Sequence, residues 1–340
     1  MKHAIMFLMI VLAGFAFLSV AVAADTVNIY SSRQEHLIKP LLDEFREETG
    51  IDYRLLTGQG PALLERLRSE GRNSPADVLI TVDVGNLVAA KQAGVLQPVD
   101  SDVLNRNVPA HYRDDEGYWY GLSARSRIIY YARDRVDTER IATYESLADA
   151  ALEYGVCVRS SSNIYNQSLM ASMIAHHGEE KALEWAQGLV DNFARRPQDN
   201  DTGQIRAVAA GECDVAIANS YYYGRLMDSD RSADQQVVER VALVWPNQED
   251  RGAHMNLSGA GVTTSASNIE GAVRLIEFLS EQSAQAFYAA ENNEYPVNPA
   301  VEPTGAVREM GEFTPDGLNL SDIEKYNARA LQLMDRAGWR

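Results

Sequence analysis

Hydrophobic positions along the chain follow two different periods, which predicts strands separated by helices. Residues 26–30, 51–56 and 76–82 are short apolar runs of the kind that forms buried strands. Between the first two runs, apolar side chains recur at helical spacing over 37–45, and Gly50 is typical of a helix end. Strands that alternate with helices favour an α/β fold in which a mostly parallel sheet has helices on both faces.

The pattern changes from residue 118 and indicates a second unit. An aromatic strand over 118–132 leads into further strands and helices over 143–245, and 252–262 has the pattern of a strand that returns to the first unit. Residues 321–340 show the apolar spacing of one terminal helix. We therefore expect two lobes joined by more than one crossing of the chain. The predicted N-terminal lobe comprises 25–124 plus about 252–300, and the predicted C-terminal lobe comprises about 125–251 plus about 301–340.

The first 24 residues have the composition of a secretory signal peptide. Lys2 and His3 form a short polar start, 5–20 is apolar without a charge, and Ala21-Val22-Ala23 matches a cleavage site. A transmembrane anchor is the alternative, but the apolar run is short and a strand pattern follows it directly. No cysteine lies near the cleavage point, which argues against a lipid anchor. We expect a secreted, soluble protein.

The charge balance of the chain is acidic. It has 48 acidic and 31 basic residues, a formal net charge of −17. Nucleic-acid binding draws on clustered Lys and Arg, so this balance argues against a nucleic-acid partner. Cationic cargo is compatible with the acidity, although a solvated, soluble surface explains it equally well.

Cys157 and Cys213 are the two cysteines of the chain. In the oxidising compartment that a signal peptide implies, an even number favours one disulfide between them, and two buried free thiols are the alternative. Tyr165 follows Cys157 by eight residues, and Tyr221 follows Cys213 by eight. A bridge would therefore bring the two tyrosine segments close together.

Tyr165, Tyr221 and Tyr222 are the candidate binding residues. A phenol has a pKa of about 10, so a strong Lewis acid is needed to displace its proton at neutral pH. Hard oxygen donors suit hard cations, and ferric iron is the common biological cation that recruits several phenolates at once. The alternative is that these tyrosines are ordinary packing or surface aromatics, which is how we interpret Tyr30 and Tyr223.

Five short segments, spread over essentially the whole mature chain, carry a resemblance to a known family. They are residues 27–33, 76–83, 121–125, 161–167 and 218–222. In this set the chain resembles the periplasmic ferric-iron-binding proteins of bacterial ABC importers, in the type II periplasmic-binding-protein superfamily. The tandem Tyr221-Tyr222 with the upstream Tyr165 is the specific signal, since many relatives that bind other ligands share the opening strand.

The resemblance implies a two-lobed fold with one Fe(III) ion in the cleft between the lobes. By motif it implies Tyr165, Tyr221 and Tyr222 as iron ligands, and Arg125 as the residue that holds an accompanying anion such as carbonate. A guanidinium fork suits a bidentate anion, and three phenolates cancel the charge of Fe(III). For Arg125 a structural ion pair between the lobes is the alternative. The resemblance also implies a periplasmic monomer that delivers iron to an inner-membrane ABC permease without catalysis.

One departure from the family concerns ligands from the first lobe. Many tyrosine-rich members have His-Tyr where this chain has Gln34-Glu35. Glu35 is a candidate carboxylate ligand, and Gln34 and Asp83 are further candidates; a solvated residue at a helix N-terminus is the ordinary alternative. Where the protein supplies too few ligands, we expect water or the anion to complete the coordination.

Two rival functions stay open on the sequence. One is a binding protein of the same fold for a small organic or oxyanion ligand, with the tyrosines as an aromatic cage or as hydrogen-bond donors. The other is a secreted metalloenzyme. The sequence has no Ser-His-Asp arrangement with its local motif, no H-E-x-x-H motif, no phosphate loop and no dinucleotide fingerprint, so the enzyme is the more remote alternative.

Overall fold

The computed structural model describes residues 26–198 and 200–340. Ten strands and thirteen α-helices alternate along this part of the chain, which confirms the predicted α/β class. The strands are β1 (Thr26–Ser31), β2 (Asp52–Thr57), β3 (Val78–Thr81), β4 (Leu96–Gln97), β5 (Tyr120–Ala132), β6 (Val156–Cys157), β7 (Val215–Asn219), β8 (Val241–Val244), β9 (Met255–Thr263) and β10 (Tyr295–Pro296). The helices are α1 (Glu35–Thr49), α2 (Gly60–Glu70), α3 (Val84–Gln92), α4 (Asp102–Asn107), α5 (Ile164–Asp191), α6 (Asp201–Ala210), α7 (Ser220–Met227), α8 (Ser232–Arg240), α9 (Ile269–Ser280), α10 (Gln282–Asn292), α11 (Gly305–Glu309), α12 (Leu320–Glu324) and α13 (Asn327–Ala337).

The strands form one path in the order β2-β1-β3-β9-β5-β7-β6, with β4, β8 and β10 paired at its side. We call β1–β4, β9 and β10 the first sheet and β6–β8 the second sheet. Strand β5 belongs to both: its residues 120–126 pair with β9, and its residues 127–131 pair with β7.

The first sheet is built on β1, which has β2 and β3 parallel on either side. The register aligns Ile29 of β1 with Leu55 of β2 and with Val78 of β3. The apolar stripe of α1, which includes Phe45, is buried in the same core as Ile29. Helix α1 ends at Gly50, whose φ of 74° lies in the left-handed region that favours glycine.

Strand direction differs between the outer and the inner strands. The expected parallel pairing is found for β2-β1-β3 and for β6-β7, whereas β9 is antiparallel to β3 and β5, and β5 is antiparallel to β7. This difference from a mostly parallel sheet arises because β9 lies between β3 and β5 and runs opposite to both, and because β5 continues into the second sheet antiparallel to β7. An apolar run indicates that a strand is buried but not in which direction it runs. The sequence pattern could therefore not distinguish parallel from antiparallel pairing.

The second sheet is covered by helices that include the C-terminal one. Helix α13 packs along α5, and the ring centroids of Trp185 and Trp339 are 6.1 Å apart. Helix α5 is interrupted at Gly178, which has a φ of 79°. The single terminal helix expected over 321–340 is instead divided into α12 and α13. Helix α12 contacts both α3 and α5, and α13 packs against α5.

The predicted disulfide is confirmed: Cys157 and Cys213 are bonded, with their Cα atoms 6.0 Å apart. Cys157 ends β6 and Cys213 lies just before β7, and these two strands pair in parallel. The chain continues from β6 towards α5 and from β7 directly into α7. The bridge therefore holds together the two backbone segments that lead to Tyr165 and Tyr221.

The predicted signal peptide, residues 1–24, lies outside the described residues. Within 26–198 and 200–340, no helix is both long enough and apolar enough to cross a membrane.

We expect reduction of the Cys157–Cys213 bridge to destabilise the fold. The bridge spans a sequence separation of 56 residues. Releasing this restraint on the unfolded chain lowers the free energy of unfolding by about 4 kcal/mol. Urea denaturation of oxidised and reduced protein measures the difference. A Cys157→Ser/Cys213→Ser variant is the control, since reductant should not move its midpoint. Equal midpoints for oxidised and reduced wild-type protein would contradict the expectation.

Candidate functional site

A cavity of about 120 Å³ lies where the two sheets meet and draws residues from both. Its lining residues are Ser32, Arg33, Gln34, Leu37, Val82, Arg125, Tyr165, Tyr221, Tyr222, Arg225 and Glu294. Two larger surface clefts, of about 740 and 650 Å³, have a single tyrosine between them in their lining. The small cavity is therefore the place where phenol groups converge.

Three tyrosines reach the cavity from the first turns of two helices. Tyr165 is the second residue of α5, whose N-cap Asn163 accepts a hydrogen bond from the Asn166 amide. Tyr221 and Tyr222 lie in the first turn of α7, directly after β7. The hydroxyl oxygens of Tyr221 and Tyr165 are 3.4 Å apart, and the ring centroids of Tyr221 and Tyr222 are 4.3 Å apart. The structure thus brings together the three tyrosines that the sequence pattern indicated.

Burial makes the phenols of Tyr221 and Tyr222 hard to ionise. Tyr221 is 6% exposed and Tyr222 is half-buried. Burial raises the pKa of Tyr221 well above its ordinary value, and the neighbouring Tyr165 and Tyr222 raise it further, while Arg125 acts in the opposite direction. Burial also raises the pKa of Tyr222, with a further contribution from Asp201. Both side chains are therefore neutral phenols at neutral pH and release their protons only to a strong Lewis acid.

Arg125 is a buried guanidinium beside the tyrosines. It is 1% exposed, and its Cζ lies 5.5 Å from the centre of the Tyr165 ring. Nη1 donates to Ser258 Oγ at 3.1 Å, and Nη2 donates to Asn256 Oδ1 at 3.4 Å. Nε has no hydrogen-bond partner, and Arg125 forms no ion pair with any carboxylate of the described chain. A buried cation without a carboxylate partner is suited to an anion from solution.

The first sheet contributes a buried ion pair that no local sequence pattern indicated. Nη2 of Arg33 and Oε2 of Glu294 are 2.7 Å apart, and the two residues are 2% and 5% exposed. Ser123 Oγ donates to the same carboxylate oxygen. Arg33 lies in a segment that carries the family resemblance, but Glu294 is 261 residues further along the chain. Sequence reasoning had no signal that could connect the two.

The three first-lobe ligand candidates have different surroundings. Gln34 is exposed and lines the cavity. Glu35 is the exposed first residue of α1 and is not among the lining residues. Asp83 is buried as the N-cap of α3 and accepts a hydrogen bond from Asn256 Nδ2 at 2.9 Å; burial raises its pKa. Among the described residues, Glu294 is therefore the carboxylate that lines the cavity.

The described residues contain no group of three or more His, Cys, Asp or Glu side chains that could hold a metal ion. A metal in this cavity would depend on phenol oxygens. Tyrosine is the candidate metal ligand that the sequence pattern indicated, and its phenol oxygen is a hard donor.

A buried hydrogen-bond chain lies behind the cavity wall. Asn256 of β9 donates to Asp83 and to Ser168 Oγ, each at 2.9 Å. Ser168 lies one turn after Tyr165 on α5, and its Oγ is 3.1 Å from Nε2 of His254. Burial, together with nearby guanidiniums, lowers the pKa of His254 to about 3. This chain connects the first sheet with the helix that carries Tyr165.

Helix α7 approaches the turn after α10 closely. A Cβ placed on Gly224 would lie 2.8 Å from Cβ of Asn293. Asn293 caps α10 with a φ of 57° and directly precedes Glu294. The absence of a side chain at Gly224 therefore allows the helix of the tandem tyrosines to contact the turn that positions Glu294.

Known proteins are similar to this chain over most of its length. The bacterial extracellular solute-binding protein family matches residues 73–309. Iron uptake protein A1 of Synechocystis sp. is 48% identical over 314 residues, which are 92% of this chain and 87% of that protein. A Trichodesmium protein (IdiA, FutA) in complex with iron and citrate ligands has a TM-score of 0.89 and 47% identity, over 93% of this chain and 100% of the other. The ferric binding protein from Campylobacter jejuni has a TM-score of 0.87 and 36% identity, over 92% and 100%.

We expect Gly224→Ala to destabilise the contact between α7 and the Asn293 turn. The added methyl group would lie 2.8 Å from Cβ of Asn293, which forces the backbone to shift. Such overpacking lowers the free energy of unfolding by about 1–3 kcal/mol, which urea denaturation measures. Asn293→Gly removes the opposing Cβ and suits the positive φ, so the double variant should recover most of the stability. A double variant as unstable as Gly224→Ala would show that this contact is not the cause.

We expect the protein to lose stability through His254 as the pH falls from about 6.5 to about 3. In the unfolded chain the imidazole takes up a proton below its ordinary pKa, whereas in the folded protein it stays neutral until the pH reaches its lowered pKa. The contribution of His254 to the free energy of unfolding is therefore complete above the ordinary pKa and is lost as the pH falls from the ordinary to the lowered pKa. Urea denaturation at about pH 7 and about pH 4.5 measures the loss, which should be smaller in His254→Gln. His36→Gln, which removes an exposed imidazole, is the control. The prediction fails if His254→Gln and wild type lose the same stability.

Proposed function

The chain belongs to the family of bacterial extracellular solute-binding proteins, and on that premise we propose that it captures one Fe(III) ion through the phenolates of Tyr165, Tyr221 and Tyr222. The observation that carries the proposal is the convergence of these three side chains in one small cavity, with the hydroxyl oxygens of Tyr221 and Tyr165 3.4 Å apart. Two phenolates at this distance repel each other, and a trivalent cation between them offsets the repulsion.

The relatives support iron as the cargo. The Synechocystis protein is an iron uptake protein, the Campylobacter protein is a ferric binding protein, and the Trichodesmium protein was solved with iron and citrate. Three phenolates also balance the charge of Fe(III), so the metal and its phenolate ligands together are neutral.

We assign Arg125 to an anion that accompanies the metal. Its guanidinium lies beside the Tyr165 ring, its Nε has no hydrogen-bond partner, and it makes no direct ion pair with a carboxylate of the described residues. The planar fork of a guanidinium suits a bidentate anion such as carbonate. Citrate, which accompanies iron in the Trichodesmium structure, is the alternative anion.

The proposed setting is the periplasm, which the chain reaches by cleavage of its signal peptide. There a soluble monomer binds iron without catalysis and passes it to an inner-membrane ABC permease. The proposed lobes are 25–124 plus about 252–300, and about 125–251 plus about 301–340. The tyrosines come from the second of these lobes, while Arg33, Gln34 and Glu294 come from the first, so closure of the lobes would complete the cavity.

A visible absorption titration of metal-free protein with chelated Fe(III) tests the proposal. We expect a tyrosinate-to-iron charge-transfer band that saturates at one iron per chain and depends on bicarbonate. Tyr221→Phe combined with Tyr222→Phe should abolish the band, because two of the three phenolate ligands are lost. A wild-type protein without the band that binds an organic ligand tightly would instead be a binding protein of the same fold for that ligand.

Tyr223→Phe is the matched control for the double variant. The Tyr223 hydroxyl donates to the carbonyl oxygen of Val241 at 2.8 Å, and Tyr223 is not among the cavity lining residues. We expect this variant to bind iron as the wild type does. Circular dichroism shows whether each variant is folded. Unchanged iron affinity in a folded Tyr221→Phe/Tyr222→Phe protein would refute the assignment.

A further inference from the structure

The cavity wall holds two buried guanidiniums but one carboxylate. Nη2 of Arg33 and Nη1 of Arg125 both donate to Ser258 Oγ, at 2.7 and 3.1 Å. Both arginines and Glu294 line the cavity, and Arg225 adds an exposed guanidinium at its edge. Among the buried lining residues, Arg33, Arg125 and Glu294 therefore carry one net positive charge; the buried Asp83, which interacts electrostatically with Arg125, lies outside the lining.

The Glu294 carboxylate is hydrogen-bonded to one of the two arginines, Arg33. Glu294 Oε2 accepts hydrogen bonds from Nη2 of Arg33 and from Ser123 Oγ. The contact between Asn293 and Gly224 fixes the turn from which Glu294 extends. Arg33 thus has a direct carboxylate partner. Arg125 makes no direct ion pair, and the charges of Glu294 and of the buried Asp83 act on it from beyond ion-pair distance.

We propose that Glu294 determines which anion accompanies the metal, by pairing directly with Arg33 and leaving Arg125 as the buried guanidinium without a direct ion pair. With one guanidinium available, a small anion of low charge is favoured, and the fixed carboxylate repels the additional carboxylates of a polyanion. The cavity volume of about 120 Å³ adds a limit on size. The site accordingly takes an anion of the carbonate class in preference to a tricarboxylate such as citrate. This inference rests on the proposed function, since it concerns the anion of the same site.

Glu294→Gln tests the inference because it exposes the charge of Arg33. We expect the ratio of citrate to bicarbonate affinity to rise about tenfold or more, as expected when one charge-assisted pair is gained. The charge-transfer band, titrated with each anion at equal ionic strength, measures this ratio in the iron-loaded protein. The shift of the thermal unfolding midpoint by each anion measures it in the metal-free protein. An unchanged ratio in both measurements would overturn the inference.

Two further variants separate the effect of Glu294 from general charge effects. Glu291→Gln removes the same charge from an exposed position one turn earlier on α10, outside the cavity lining, and should keep the wild-type ratio. Arg33→Gln combined with Glu294→Gln removes both partners, keeps the net charge, and should also keep the wild-type ratio. A double variant that prefers citrate as strongly as Glu294→Gln would contradict the role of Arg33.

The wild-type protein provides a test that needs no variant, because removal of Glu294 leaves a buried guanidinium unpaired and can prevent folding. If wild-type protein binds citrate more tightly than bicarbonate, the inference is wrong even where the charge-transfer band is present. Absence of the band would refute the proposed iron site instead, and the midpoint shifts of metal-free protein would still decide the anion preference.

Discussion

Tyr165 and Tyr221 hold their hydroxyl oxygens 3.4 Å apart in a cavity of about 120 Å³. Burial and the neighbouring Tyr165 raise the pKa of Tyr221, so the fold disfavours ionisation of Tyr221 in the absence of a metal. The same proximity makes them good partners for a small cation of high charge, because one such ion compensates several phenolates at once. In the proposed function, selectivity for Fe(III) over divalent ions follows from this balance, since an ion with less charge compensates less of the repulsion.

The rest of the fold serves to place these phenols. They belong to α5 and α7, which follow neighbouring parallel strands, so the N-termini of both helices reach the same edge of the second sheet. Helix N-termini favour negative charge, which assists phenolate formation once a metal is present. The Cys157–Cys213 bridge ties the two strands together, and β5 brings Arg125 from the first sheet to the same point. The disulfide, the N-termini of α5 and α7, and strand β5 therefore all position residues that line one cavity of about 120 Å³.

Features that depend on short segments could be predicted from the sequence. The α/β alternation follows from local periodicity, and the disulfide follows from two cysteines in a secreted chain. The three tyrosines could be chosen by their place in matching segments. Features that depend on distant contacts could not be predicted. Glu294 contacts Arg33 across 261 residues, and strand direction depends on how β9 inserts between β3 and β5 and how β5 continues into the second sheet. Asp83 resembled a ligand because it begins a helix, and the same position makes it a cap whose oxygens are already engaged.

The acidity of the whole chain and the positive charge of the cavity act at different ranges. The net charge of −17 attracts cations and repels polyanions at the surface, where salt screens it over about 8 Å. Inside the cavity, Arg33, Arg125 and Arg225 face a single lining carboxylate, and burial of the first two weakens that screening. A small anion that arrives with the metal experiences mainly the local field, whereas a large chelate of high negative charge experiences both. The net negative charge of the molecule and the pairing of Arg33 with Glu294 therefore have the same effect. Both disfavour a metal chelate of high negative charge and favour a metal that arrives with a small anion.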